Sequence, residues 1–127
     1  MNRNEELLKL RPKIKSIQQD LNTSDLEQFQ NVKLRPILKL QHEILLALFQ
    51  SSWSRNKVSF AELKAEEKRS KLDQLFQKNL SSKNQSIGAV IGMLTVDEYT
   101  VYTKDTSAHN RRIITMLKQR ILSTFER

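Results

Sequence analysis

The fold is decided by residues 34–53, LRPILKLQHEILLALFQSSW, which form the most apolar segment of the chain. At about 100° per residue, a single helix face collects Leu34, Ile37, Leu38, Ile44, Leu45, Leu48 and Phe49. Leu40, Leu46 and Ala47 extend the apolar character around the helix. The spacing therefore predicts a mostly buried central helix about 30 Å long, which is roughly the width of a small domain. Gln41 falls within the apolar face, so its amide must either bond to a neighbouring backbone or lie in a groove.

The remaining composition indicates an all-α protein. Two glycines and two prolines in 127 residues leave little turn chemistry for a many-stranded sheet. The length suits one domain, residues 1–127, and the pattern predicts a compact bundle of five to seven helices. The chain has no cysteine, so it has neither a disulfide framework nor a thiolate metal site. The charged N-terminus and the lack of about 20 consecutive apolar residues predict a soluble, cytoplasmic protein with no membrane partner.

Several helix starts can be read on either side of the central segment. Capping-box spacing occurs at Ser24/Glu27, Ser59/Glu62, Ser82/Gln85 and Thr95/Glu98. These pairs predict a helix from Ser59 to residue 79 that bends or restarts within KAEEKRSK, residues 64–71, a second helix from about Lys83 to Leu94, and a further start at Thr95. The spacing of Ile113, Ile114, Leu117, Ile121 and Phe125 predicts a last helix from Ser107 to Phe125. An apolar stripe also runs along residues 7–21, and Pro12 should break or kink it and open a new first turn.

The segment YTVYT, residues 99–103, leaves two structures open. Its β-branched and aromatic residues are compatible with a short strand, but no partner strand is evident. We therefore expect it to be helical.

Both glycines, Gly88 and Gly92, lie in SIGAVIGMLT, residues 86–95. Each costs about 1 kcal/mol relative to alanine inside a helix, so the pair suggests that missing side chains are needed there. A membrane-helix dimer needs a longer apolar span, and a phosphate loop needs more glycines after a strand. Close helix packing is favoured, either within one chain or between two copies. Packing between two copies predicts a homodimer.

A formal charge of +8 favours contact with polyanions. The candidate contacts are Arg111, Arg112 and Lys118 on the last helix, and Arg35 and Lys39 near the start of the central helix. On a helical wheel, however, Arg111 and Lys118 face away from Arg120, and aromatic residues do not alternate with the basic ones. A solvated basic surface is the favoured interpretation, and nucleic-acid binding is the alternative.

Signatures of catalysis are weak. His42 and Glu43 resemble the start of a His-Glu-x-x-His zinc motif, but the fifth position is Leu46. We expect His42 to be a boundary residue of the central helix and His109 to serve as a cap or surface residue. Asp97, Glu98 and Asp105 are typical helix-start carboxylates, and no Gly-x-Ser-x-Gly motif occurs. The sequence thus predicts no catalytic residue, metal ligand or cofactor site.

Three blocks of sequence resemble a small helical family from bacteria of the Bacteroidetes type: FQNVKLRPILKLQHEILLALF, GAVIGMLTVDEY and RRIITMLKQRI. The resemblance covers most of the chain and implies a helical fold without an established activity. Some members carry the label glyoxalase. A metal-dependent glyoxalase is an α/β protein with His and Glu ligands from several strands, whereas this chain has two histidines and hardly a strand.

Together these features predict a non-enzymatic interaction or scaffold module that self-associates, and they are compatible with a protein partner. Nucleic-acid binding through the basic surface is the alternative.

Overall fold

The computed structural model describes residues 2–13 and 24–126, and within these ranges all regular structure is helical. The α-helices are α1 (Arg3–Leu10), α2 (Asp25–Phe29), α3 (Arg35–Leu40), α4 (His42–Trp53), α5 (Ala65–Lys78), α6 (Leu80–Ile91), α7 (Val96–Tyr102) and α8 (Thr106–Thr124). A π-helical turn, Gln30–Leu34, precedes α3, and 3-10 turns occupy Phe60–Glu62 and Thr103–Asp105. The predicted all-α bundle is confirmed. None of the helices in the described ranges is long and apolar enough to cross a bilayer.

The central segment is helical but not one straight helix. It bends at Gln41, whose φ of −90° and ψ of 10° separate α3 from α4. Backbone hydrogen bonds from Gln41 N to Ile37 O and from Leu45 N to Gln41 O, both 2.9 Å, carry the chain through the bend. Of the predicted face, Leu34, Ile37, Leu38, Leu45 and Phe49 are buried, whereas Leu48 is partly buried and Ile44 is half exposed.

Helix α8 is the element around which the bundle packs. It contacts α3, α4, α5 and α6. Its buried face consists of His109, Ile113, Ile114, Met116, Leu117 and Ile121. The predicted last helix is therefore confirmed, with its bounds shifted by one residue at each end.

An aromatic cluster explains why the predicted helix start at Ser59 is wrong. Phe60 is buried, and its ring packs edge-on against Phe49 with centroids 5.0 Å apart and against Phe125 at 5.3 Å. The 3-10 turn Phe60–Glu62 places Phe60 in this cluster, and Leu63 then takes an extended conformation with ψ of 152°. Ser59 makes no side-chain cap, and α5 begins only at Ala65.

The predicted start of the glycine-containing helix is also wrong. Asn79 caps α6 by accepting the backbone N–H of Ser82 at 3.0 Å, so the helix begins at Leu80. Ser82 is instead a buried residue within α6, where its hydroxyl accepts a hydrogen bond from Ser52 Oγ of α4 at 2.8 Å. At the other end the helix stops at Ile91, three residues before the predicted end.

One predicted capping box and one predicted helix start are confirmed. Thr95 and Glu98 form both bonds of a capping box at the start of α7, and Ser24 Oγ accepts the backbone N–H of Glu27 at the start of α2. Residues 99–102 belong to α7, and Thr103 starts the following 3-10 turn, so YTVYT is helical.

The predicted break near Pro12 is confirmed, because α1 ends at Leu10 and Arg11 has extended backbone angles. Pro12 and Lys13 are not helical, and the rest of the turn that was predicted to begin at Pro12 lies outside the described residues. The rest of the predicted apolar stripe, Ile14, Ile17 and Leu21, lies outside the described residues.

Two arginines connect α1 to the turn between α6 and α7 through hydrogen bonds and an ion pair. Arg3 donates to the carbonyls of Gly92 at 2.7 Å and Leu94 at 3.0 Å. Arg11 forms a two-pronged ion pair with Glu98 and also donates to Met93 O at 3.0 Å. Both side chains of the ion pair are at least nine-tenths buried. The pair therefore joins two segments of chain that are 87 residues apart.

Glu98 remains ionised in this buried position. Burial raises the pKa of its carboxyl group, but the hydrogen bonds from Arg11 and from the Thr95 backbone, together with the charge of Arg11, outweigh burial and lower the pKa to about 2. Lys33 adds a second cation 3.6 Å from the carboxylate. Glu98 is thus a structural residue that links α1 to α7.

Candidate anion-binding cleft

A cleft of about 350 Å³ opens where α3, the start of α4 and the C-terminal half of α8 meet. We call it the arginine cleft, and its lining is Arg35, Leu38, His42, Met116, Gln119, Arg120, Ser123 and Thr124. Residues three or four apart share a helix face, so α8 presents its five lining residues along one side. Two cationic side chains, Arg35 and Arg120, converge on this cleft from different helices.

A closed set of hydrogen bonds orients Arg120. Its Nε–H donates to His42 Nδ1 at 3.2 Å. Because Nδ1 acts as an acceptor, the neutral imidazole carries its proton on Nε2, and that N–H points to Thr124 Oγ1 at 3.4 Å. The Thr124 hydroxyl in turn donates to the backbone carbonyl of Arg120 at 2.8 Å. His42 is thereby held as the residue that positions the Arg120 guanidinium.

The electrostatics of the cleft favour a bound anion. Burial lowers the pKa of Arg120, and the positive charge of nearby Arg35 lowers it further. Arginine nevertheless stays protonated at neutral pH, so two like charges are kept close together. Among the described residues, no carboxylate lies within 4 Å of either guanidinium. An anion placed between them would relieve this repulsion and accept hydrogen bonds from Arg120 beyond the one that its Nε–H gives to His42.

The other basic residues proposed from the sequence do not join this site. Arg111 and Lys118 line a separate cleft of about 640 Å³ between α5, α6 and α8, together with Lys83. We call it the lysine cleft. There, Lys118 Nζ bonds to Asp73 at 2.9 Å.

Arg112 is half-buried and Lys39 is exposed, but neither residue lines the arginine cleft or the lysine cleft. Of the five candidate polyanion contacts, only Arg35 lies in the arginine cleft.

The glycines lie elsewhere, on the exposed side of α6 and its C-cap. A Cβ atom built at Gly88 meets no described neighbour within 4 Å, and one built at Gly92 meets only Gly88 O at 3.2 Å. Close packing of these glycines against another helix of the same chain is therefore wrong for the described residues. Packing between two copies stays a prediction.

Gln41 is bonded within the fold. Its Nε2 donates to the carbonyl of Ala89 in α6 at 3.1 Å. The contact fastens the bend between α3 and α4 to α6, and Gln41 does not line the arginine cleft.

His109 is not the cap or surface residue that the sequence predicted. It is 1% exposed, and its ring lies between Phe29, with centroids 4.8 Å apart, and Tyr102 at 5.9 Å. Gln30 Nε2 is 3.3 Å from its Nδ1. Burial lowers the pKa of His109, although the charge of Asp105 opposes this effect. A neutral, packed imidazole is a core component, and Asp105 caps α8 by accepting the N–H of Ala108.

No group of three or more His, Cys, Asp or Glu side chains within residues 2–13 and 24–126 is arranged to hold a metal ion. Comparison of the chain with protein-family models, with curated proteins and with solved structures gave no match. The resemblance to a Bacteroidetes-type helical family stays a prediction.

Sequence reasoning missed His42 and Arg120 as parts of one site. Their contact joins residues 78 positions apart, whereas a helical wheel compares positions on one helix only. The sequence does contain one feature that indicates such a site, because Arg120 lies at the edge of the apolar stripe of the last helix. A cation at such a boundary position lies close to neighbouring helices and is a candidate for a partly buried site.

Proposed function

We propose that this protein is a non-enzymatic interaction module that binds a carboxylate or phosphate group of a partner in the arginine cleft. The observation that carries the proposal is the convergence of Arg35 and Arg120 on one cleft without a carboxylate neighbour among the described residues. Arginine is suited to such groups because its planar guanidinium can donate two parallel hydrogen bonds.

The arrangement of His42 supports binding over catalysis. Both ring nitrogens have hydrogen-bond partners within the cleft, one in Arg120 and one in Thr124. A general base needs a free nitrogen within reach of the proton that it removes. His42 instead shares in a network that fixes the direction of Arg120, which is the role expected of a support to a binding residue.

The test is a calorimetric or NMR titration with inorganic phosphate and with acetate. We expect Arg35→Gln and Arg120→Gln each to weaken binding by about tenfold or more, because each removes a charge-assisted hydrogen bond. Arg55→Gln is the matched control, since it removes the same charge from an exposed residue outside the cleft. Equal weakening by all three variants would show that the effect comes from net charge alone and would overturn the proposal. The absence of phosphate and acetate binding by the parent protein would also overturn it.

Nucleic-acid binding is the second candidate, and the lysine cleft is the observation that favours it. The cleft is lined by Lys83, Arg111 and Lys118, and Asp73 is the one acidic residue in its described lining. If it contacts phosphates, affinity for mixed DNA and RNA should fall steeply between about 50 and 200 mM salt. Arg111→Glu combined with Lys118→Glu should then abolish binding. Weak binding that these two substitutions leave unchanged would argue against this candidate.

Self-association and a cytoplasmic location complete the proposal. Both glycines are exposed and have no side chain. A second copy could therefore approach the backbone at these positions more closely than at any other residue type. The lack of cysteine is compatible with a reducing compartment.

A further inference from the structure

A second cleft continues the arginine cleft along α8. It has a volume of about 540 Å³ and lies between the segment 61–69 and the C-terminal end of α8. We call it the leucine cleft. Gln119 and Ser123 line both clefts, so the two clefts adjoin at these exposed residues of α8, and we refer to the pair of clefts as the groove.

The leucine cleft has an apolar floor. Leu63, Leu122 and Phe125 are partly buried and pack against the core. Lys68 closes the floor, because its Nζ donates to the carbonyl of Phe125 at 2.8 Å and thereby caps the last turn of α8. The floor is thus preformed and could receive an aliphatic side chain without rearrangement of the core.

The rim of the leucine cleft is cationic. Lys64 and Arg69 are exposed there, and Glu126 is the one acidic residue in the described lining. Ala61 and Ala65 are also exposed, so this side of the groove is lined by small side chains and is open to solvent. With Arg35 and Arg120 at the other end, cationic side chains extend along the whole groove.

We infer that the groove binds an extended acidic segment of a protein partner, with a carboxylate between Arg35 and Arg120 and an aliphatic side chain on the floor of the leucine cleft. This inference rests on the proposed anion binding at the arginine cleft. The charge of the groove complements an acidic segment, and its openness admits a chain that enters and leaves at both ends.

A peptide fits this groove better than single-stranded nucleic acid does. Sequence-tolerant nucleic-acid binders stack bases on aromatic rings. Phe125 is the aromatic residue of the leucine cleft, and its ring is engaged edge-on with Phe49 and Phe60. An aliphatic side chain requires only the apolar contact that the floor already offers.

The distance between the arginine cleft and the leucine cleft determines how far apart the acidic and aliphatic residues of a bound peptide should be. Arg120 and Phe125 are five residues apart, so they differ by about 7.5 Å along the axis of α8 and by about 140° around it. In an extended chain, residues i and i+2 point to the same side and lie about 6.8 Å apart. An acidic residue and an aliphatic residue two positions apart therefore match the axial part of this separation.

The experiment uses a fluorescein-labelled decapeptide that repeats Glu-Ser-Leu-Ser, titrated with the full chain and read by fluorescence anisotropy. Two comparison peptides replace every Glu with Gln or every Leu with Ala. We expect the parent peptide to bind about tenfold more tightly than either comparison peptide. A labelled single-stranded DNA of mixed sequence should bind more weakly than the parent peptide, and tighter binding of the DNA would overturn the inference.

Protein variants locate the bound peptide. Ala65→Glu introduces a negative charge into the rim of the leucine cleft at the first position of α5, where acidic residues favour helix formation. It should weaken peptide binding several-fold, whereas Ser70→Glu, which adds the same charge to α5 outside the clefts, should not. Circular dichroism checks that both variants are folded.

The outcomes separate this inference from the proposed function. If phosphate binding depends on Arg35 and Arg120 but the Leu-to-Ala peptide binds as well as the parent peptide, the arginine cleft binds anions and the groove inference is wrong. If neither phosphate nor the peptide binds, both proposals are wrong.

Discussion

At the scale of single residues, two arginines have different surroundings in the structure. Arg11 is neutralised by Glu98 and serves the fold, since it joins α1 to α7 in a buried, two-pronged ion pair. Arg120 has a neutral partner, His42, and keeps its charge without a carboxylate neighbour in the described chain. A partly buried arginine without an acidic partner is costly in free energy. That cost is the physical reason to assign Arg120 to binding and Arg11 to stability.

The ion pair makes stability depend on acid pH. The pKa of Glu98 is lowered from 4.5 to about 2 in the folded chain, so its contribution is complete above about pH 4.5 and is lost as the pH falls towards 2. At about 1.4 kcal/mol per pKa unit, the loss is on the order of 3 kcal/mol. We expect the free energy of unfolding of the parent to exceed that of Glu98→Gln by the largest margin above pH 5, and this margin to shrink towards pH 2. Urea denaturation at a series of pH values measures it. A margin that does not change with pH would contradict the assigned role of Glu98.

At the scale of helices, local signals succeeded where the partners are close in sequence. The capping box of α7 forms because Thr95 and Glu98 satisfy each other's backbone N–H groups within one turn. The same spacing at Ser59 and Glu62 fails, because Phe60 is drawn into a cluster with Phe49 and Phe125, which are distant in sequence. At Ser82 it fails because Asn79 supplies a cap three residues earlier. Tertiary packing thus decided which of several plausible helix starts was used.

The candidate site was predictable to a smaller extent than the fold. Composition and spacing identified Arg35 as a possible anion contact, and the structure places it in the arginine cleft. They could not bring it together with His42 and Arg120, because that requires the packing of α3 and α4 against α8. The exposure of Gly88 also depends on packing, since the sequence alone does not show which face of α6 is covered.

The glycines give a test of self-association. Because the position of a Cβ at Gly88 is free of described neighbours and glycine disfavours a helix by about 1 kcal/mol, Gly88→Leu should preserve the fold and raise the melting temperature of the dilute protein. If two copies meet at this backbone, the added side chain should shift sedimentation from dimer to monomer through overpacking, which costs about 1–3 kcal/mol. Ser70→Leu, an exposed site on α5, is the control and should leave the dimer intact. Sedimentation of the parent as a monomer would refute the proposed dimer.

At the scale of the whole molecule, α8 connects structure and proposed function. One side of α8 carries the buried residues around which α3, α4, α5 and α6 pack. Its remaining surface lines three clefts: the arginine cleft, the leucine cleft and the lysine cleft. A net charge of +8 gives the molecule a general attraction for anions, but the arginine cleft adds a fixed geometry. Specific binding is expected there because His42 and Thr124 hold Arg120 in place before a ligand arrives.

The most direct test of this account follows the Arg120 Nε–H resonance by NMR while inorganic phosphate is added to the full chain. If the arginine cleft binds anions, this resonance should shift with saturation, in parallel with that of Arg35, while the resonance of Arg55 stays nearly unchanged. In His42→Phe, which removes the acceptor of the Arg120 Nε–H, the affinity for phosphate should fall. Equal, non-saturating shifts at Arg35, Arg55 and Arg120 would show that phosphate responds only to net charge, and would contradict a specific anion site between α3 and α8.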